Sequence, residues 1–288
     1  MTLTQAIAFS IQASMALMVF CVALHATFDD VLYLARKPGL LARSLLAMNV
    51  IMPAVAIGIA LLFPDLSRPL RAALITLAVS PVPPILPGKE LKAGGRSAYV
   101  VGLLAAAALV SIVFVPIAAY LIGRIFGREV VTSPATVAWI VGTSLLAPLL
   151  AGVAVRRLAP SLAAKIARPL SIFATVLLIV AFLPVLGRIW PAVAASIGNY
   201  TLLTIVVFVV VGLAVGHWLG GPDRDDRSVL ALSTATRHPG VALAIAHGTP
   251  DVTGVLGVVL VCLIVGALVS SPYVKWVARA RSSARAAA

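Results

Sequence analysis

The chain has 288 residues, 61% of them hydrophobic and 11% charged, with 22 basic residues against 9 acidic ones, and its mean hydropathy is +1.11. A soluble domain needs polar residues to cover its surface, and this chain lacks them. The formal charge of +13 does not point to nucleic acid, because the basic residues sit between apolar stretches, where they set topology at a lipid surface.

A spanning helix needs about 20 mostly apolar residues. Nine such spans are expected, over 5–26, 40–63, 69–94, 98–123, 135–157, 168–189, 200–220, 227–248 and 253–278. The expected fold class is therefore an all-α polytopic membrane protein in one domain, with the lipid bilayer as its first partner. The first span has no basic run before it, so it reads as a retained span rather than a cleaved signal peptide. One set of alternate loops holds sixteen of the basic residues: Arg36, Lys37 and Arg43, then Lys89, Lys92 and Arg96, then Arg156, Arg157, Lys165 and Arg168, then Arg224 and Arg227, then Lys275, Arg279, Arg281 and Arg285. The other set holds five, Arg68, Arg71, Arg124, Arg128 and Arg188. Positive loops stay inside, so the N-terminus is expected outside and the C-terminus in the cytoplasm of a plasma (inner) membrane.

The third span contains Ser80, Pro81, Val82, Pro83, Pro84, Ile85, Leu86, Pro87 and Gly88, followed by Lys89, Glu90 and Lys92. Proline removes amide donors and bars the residue before it from helical geometry, so this stretch is not continuous helix. It reads either as a broken span or as a loop after a shorter one. The eighth span is interrupted by Arg237, His238, Pro239 and Gly240 in the middle of an apolar run. A charge at the centre of a span costs about 2.5–3.5 kcal/mol on insertion scales. Arg237 reads as a group at a cavity or as a structural arginine satisfied by a carbonyl. Unwound backbone at membrane depth is tolerated only inside protein or beside water. Breaks at matching places in two halves of opposite orientation point to a transporter built from inverted repeats, here about 1–125, short of one helix, and about 133–280.

At these residues the chain resembles the bile acid:sodium symporter family, over nearly its whole length. Phe28 to Leu32, the basic turn Arg36-Lys37-Pro38 and the later Met52-Pro53 are similar to family motifs. Ser80-Pro81 stands where the family has Cys-Pro, opening its Cys-Pro-Gly-Gly-Thr-Ala-Ser-Asn crossover. Ala235 to Ala246 stands at the family's Gly-Met-Gln-Asn crossover. The resemblance implies two inverted repeats, a panel and a core, and two crossing broken helices. It also locates departures. Leu86-Pro87 replaces the family's sodium-binding Ser-Asn pair, Thr234 its Glu, and His238-Pro239 its Gln-Asn pair, while Met48, beside Asn49, replaces a Gln. Leucine and proline side chains offer a sodium ion no oxygen. The family's sodium sites are therefore expected to be lost, and no other cofactor is implied.

Fixed charge on Arg237, always protonated, and on Lys89 is expected to replace the bound cations and to favour a small organic anion such as a carboxylate or sulfonate. Thr234, Thr236 and Ser80 offer hydroxyl contacts, and His238 joins them as a substrate contact. Half-helix N-termini near Gly88 and Gly240 add partial positive charge. Coupling candidates are Glu90, expected to pair with Arg237 or Lys89 or to carry a proton, together with His238 and Asn49. The remaining acidic residues, Asp223, Asp225 and Asp226 among them, are expected in loops. The crossover backbone is assigned to Pro81, Pro83, Pro84, Pro87, Gly88, Pro239 and Gly240. Cys21 and Cys262 lie in apolar stretches and imply neither a disulfide nor a metal site. The expected function is secondary transport without enzyme activity. A membrane sensor that binds a ligand on the same scaffold without transporting it is the alternative.

Overall fold

The computed structural model describes residues 3–126, 133–195, 197–198, 200–246 and 251–286. Arg128 and Glu129 lie outside them. The described residues form helices and turns and contain no strand. In chain order the helices are α1 Leu3–Ala23, α2 Phe28–Val31, α3 Pro38–Leu45, α4 Met52–Leu62, α5 Arg68–Val79, α6 Leu86–Lys92, α7 Ser97–Ile125, α8 Pro134–Val141, α9 Ala147–Leu158, α10 Pro160–Ala195, α11 Thr201–Leu219, α12 Arg224–Ala235, α13 Pro239–Ala246 and α14 Val252–Ala286.

Among the described residues, seven stretches are long and apolar enough to cross a membrane: Gln5–Ala23, Pro38–Leu62, Ser97–Ile125, Pro134–Leu158, Pro160–Gly187, Thr201–Leu219 and Val252–Ala280. The expected third and eighth spans are the two broken pairs, α5 with α6 and α12 with α13. Two boundaries differ clearly. Helix α10 starts at Pro160, so Lys165 and Arg168 lie on a helix and not in a loop, and α14 runs on to Ala286, so Arg279, Arg281 and Arg285 lie on a helix too. Proline at a helix start is harmless, because its missing N–H has no intrahelical partner there anyway. Asp225 and Asp226 also leave the loop expected for them: they occupy the first turn of α12, where carboxylates suit the helix dipole.

Two spans are continuous but widened. Between α3 and α4 the backbone makes a π-helical segment, Leu46–Ile51, and between α8 and α9 another, Gly142–Leu146. Each lies just before a proline, Pro53 or Pro148. The ring clashes with the carbonyl four residues back, and a wider turn relieves the clash. The Met52 amide therefore reaches back five residues to the Ala47 carbonyl. The next amide in that pattern would belong to residue 53, which has none. The Met48 carbonyl is thereby left without a helical donor.

Helices α1, α9 and α10 pack on one another, and α5 with α11 to α14 form a second group. The groups meet where α10 lies against α14, and α8 lies against α7. The closest pairing in the second group is α11 on α12. A Cβ at Gly212 would stand 2.8 Å from the Ala235 Cα, and one at Gly220 would stand 2.5 Å from the Arg227 Cα, with Gly216 between them against Leu230 and Ala231. Small residues four apart let two backbones touch within a membrane, and this contact holds α12 in place beneath the second break.

Candidate functional site

Helix α5 stops at Val79, and Ser80 is extended, at φ −78° and ψ 151°. Helix α12 stops at Ala235, and Thr236 is extended, at φ −122° and ψ 129°. The two unwound segments meet: the His238 amide donates to the Pro81 carbonyl at 2.8 Å. Pro81, Pro83, Pro84 and Pro87 are buried, while Gly88 is exposed and Pro239 and Gly240 are half-buried. Helix α6 starts at Leu86 with Pro87 in its first turn, and α13 starts at Pro239. Both broken pairs thus resume with a proline in the first helical turn, where its missing N–H costs nothing.

Arg237 is only 4% exposed at this junction. Its Nη2 donates to the Met48 carbonyl at 2.9 Å and its Nη1 to the Ser80 carbonyl at 3.3 Å. Pro84 lies four residues past Ser80 and has no N–H with which to claim that carbonyl. The guanidinium therefore bridges two carbonyls, each lying before a proline, one on the π segment after α3 and one at the end of α5. Its Nε has no partner. Among the described residues no carboxylate oxygen lies within 4 Å of it, since the ion pairs are Arg36 with Asp29 and Arg96 with Asp223 and Asp226.

His238 is 3% exposed and acts as a helix cap. Its Nδ1 accepts from the amides of Gly240 at 3.1 Å and Val241 at 3.4 Å. With Nδ1 accepting, the ring proton sits on Nε2, which points at Ser144 Oγ at 3.4 Å. Ser144 belongs to the second π segment and donates its own proton to the Ile140 carbonyl at 2.6 Å. Each widened span thus presents one residue to the crossover, Met48 to Arg237 and Ser144 to His238.

Glu90 is 1% exposed and accepts from Ser233 Oγ. It pairs with neither Arg237 nor Lys89, the two partners expected of it. Lys89 is half-buried and donates to Ser270 Oγ, which donates in turn to the Gly266 carbonyl. The adjacent charges of α6 thus fasten it to α12 and to α14. Thr234 is wholly buried, and its Oγ1 has no partner. Thr236 is half-buried. Ser80 turns its hydroxyl back to the Thr76 carbonyl at 2.7 Å, so its carbonyl and not its side chain serves the site. Asn49 is half-buried on the π segment beside Met48.

Several members of this arrangement were not among the candidates read from sequence: the Met48 carbonyl, Ser144, Ser233 and Ser270. The signal for the first two was present, as a proline in each of two apolar runs at Pro53 and Pro148. Below the crossover, Arg96 at the start of α7 holds Asp226 at 2.8 Å and Asp223 at 2.9 Å, tying α7 to the start of α12. The Asp226 side chain is only 7% exposed.

In comparison with known proteins, a family model described as the Sodium Bile acid symporter family matches residues 13–215. That stretch contains the first break and ends before the second. No curated protein matches the chain.

Proposed function

The chain belongs to the sodium bile acid symporter family, and from that premise we propose that it is a secondary active transporter of a small organic anion in which Arg237 does the electrostatic work of a bound sodium ion. The family is one of transporters, and the protein is an integral, multi-pass membrane protein. One observation carries the finer reading: a buried guanidinium donates to the carbonyls of Met48 and Ser80 and has no carboxylate partner among the described residues.

A sodium ion at a crossover gathers oxygen ligands from several helices. Here Leu86 and Pro87 are buried with no side-chain oxygen to give, and His238 presents an N–H where the family has a Gln. The donor set does not suit sodium, whereas the guanidinium already occupies two of the carbonyls. A tethered cation stays with the protein, so its charge is not cotransported. Burying an unpaired cation is costly, and an entering carboxylate or sulfonate offsets that cost. Lys89 adds a second positive charge. Glu90 is buried against a single hydroxyl with no cation within 4 Å of its carboxylate among the described residues, an arrangement suited to a carboxyl group that carries a proton. The broken pairs are taken to cross the membrane, which gives nine crossings with the C-terminus in the cytoplasm.

The test is thermal unfolding of the purified protein in sodium, potassium and choline chloride at matched ionic strength. A ligand at 100 times its Kd stabilises the folded state by about 2.7 kcal/mol. Equal stability in the three salts, with a rise on adding organic carboxylates or sulfonates, is the expected result. A rise specific to sodium defeats the reading. Anion binding without counterflow in proteoliposomes would instead favour a sensor on the same scaffold.

A further inference from the structure

Away from the crossover, a cavity of about 250 Å³ opens between the start of α3 and the turn joining α11 to α12, lined by Lys37, Gly39, Arg43, Gly220, Asp223 and Asp226 among others. It lies on the face that carries the basic loops. Its charges do not pair across it. Asp223 and Asp226 are both held by Arg96, which leaves Lys37 and Arg43 without a carboxylate within 4 Å among the described residues.

Both cations are fixed in place. Lys37 Nζ donates to Tyr33 Oη at 2.8 Å and lies 4.4 Å over the Tyr33 ring. Arg43 donates its Nε to the Gly39 carbonyl at 3.2 Å, so its two Nη groups remain uncommitted. They lie against Gly221, at φ +90°, where a Cβ would come within 3.3 Å of both. Arg227 holds the Gly221 carbonyl from the other side at 2.6 Å. Between them the start of α3 offers the Gly39 amide: Pro38 has no N–H, Leu40 and Leu41 donate theirs to the Lys37 carbonyl, there is no side-chain cap, and a Cβ at Gly39 would meet nothing within 4 Å.

We propose that this cavity is an anion site for a phosphate group, either of a lipid headgroup or free in solution, held by Arg43 and Lys37 with the Gly39 amide at the start of α3. A planar guanidinium with two free Nη groups suits a phosphate. Arg96 offsets one of the two carboxylate charges on the far wall, so with Lys37 and Arg43 the lining keeps a net positive charge.

The experiment is thermal unfolding of the full chain under two probes. One is inorganic phosphate titrated in lipid-free detergent against chloride. The other is reconstitution in zwitterionic nanodiscs with and without phosphatidylglycerol. Either probe is expected to raise Tm. In Arg43→Gln and Lys37→Gln the half-saturating concentration should rise about tenfold, the equivalent of one charge-assisted contact. Gly39→Leu, which fills the cavity and keeps every charge, should weaken binding as much. Lys165→Gln, the same charge change elsewhere on this face, should leave it intact. A rise with lipid alone assigns the site to a headgroup, and a rise with phosphate assigns it to the free anion. No rise with either probe overturns the proposal. So does a rise that Gly39→Leu retains, because that reports diffuse surface charge.

Discussion

Arg237 is bonded to the Met48 carbonyl at 2.9 Å, and that carbonyl is free because residue 53, five positions on, is a proline. A defect in one helix thus supplies the acceptor for a charge on another. The first prediction follows from this dependence. Pro53→Ala restores an amide that competes for the Met48 carbonyl and lets the π segment relax. A hydrogen bond to a charged group contributes about 1.5–3 kcal/mol. In thermal unfolding of Pro53→Ala, Arg237→Met and the double variant, the two effects should be non-additive by about 1 kcal/mol or more. Simple additivity would show that the proline and the arginine act separately.

Arg237 itself is tested by substituting its charge and its shape separately. Arg237→Ala should abolish anion-dependent stabilisation while membrane insertion persists, since removing a central charge favours insertion. Arg237→Lys keeps the charge but not the two-carbonyl fork, so it should bind the anion at least about tenfold more weakly. Binding at full strength in the alanine variant would remove Arg237 from the site.

How much of this was legible in the sequence depends on the kind of group involved. Prolines in an apolar run, and an arginine in the middle of another, are rare at membrane depth because they are expensive there. Both breaks therefore stood out at Pro81 to Pro87 and at Arg237 to Gly240. Backbone acceptors such as the Met48 carbonyl carry no letter of their own, and only Pro53 betrayed it. Pairs such as Glu90 with Ser233 join residues with no local pattern between them, so the expectation for Glu90, a pairing with Arg237 or Lys89 or a role as proton carrier, does not include Ser233. The four-residue spacing of Gly212, Gly216 and Gly220 is present in the sequence, but nothing local to it names α12 as the helix it faces. Asp226 is expected in a loop, whereas it lies in the first turn of α12. Its burial depends on Arg96, far away in sequence.

Glu90 gives a pH prediction. Glu90→Gln keeps an acceptor for Ser233 and cannot ionise. If Glu90 carries the proton, this variant should fold with unchanged or higher Tm and transport at a rate that no longer varies with pH. Proteoliposome uptake from pH 5.5 to 8.5 reads this directly. A pH profile like that of the parent protein would place the proton elsewhere.

His238 is bound through Nδ1 to two amides, a role that a protonated ring loses because Nδ1 then becomes a donor. His238→Asn should keep the cap on α13, since asparagine is among the best capping residues, and cost little stability. His238→Leu should cost about 1 kcal/mol. Equal losses in the two variants would mean that the contact to Ser144, and not the cap, is what His238 supplies.

The α11–α12 contact sets the position of the second break, so it should be intolerant of even one added side chain. Gly216→Val places a branched side chain against the Leu230 carbonyl and the Ala231 backbone, neither of which is a flexible group able to move aside. The expected cost is about 3 kcal/mol, seen as lower Tm and reduced recovery of folded protein in detergent. Gly58→Ala is the matched control, because a Cβ there meets nothing within 4 Å and alanine favours helix by about 1 kcal/mol. It should leave Tm unchanged or slightly raised. If both variants behave alike, α11 and α12 do not approach as closely as these glycines imply, and the placement of Thr234 and Arg237 beneath the crossover loses its support.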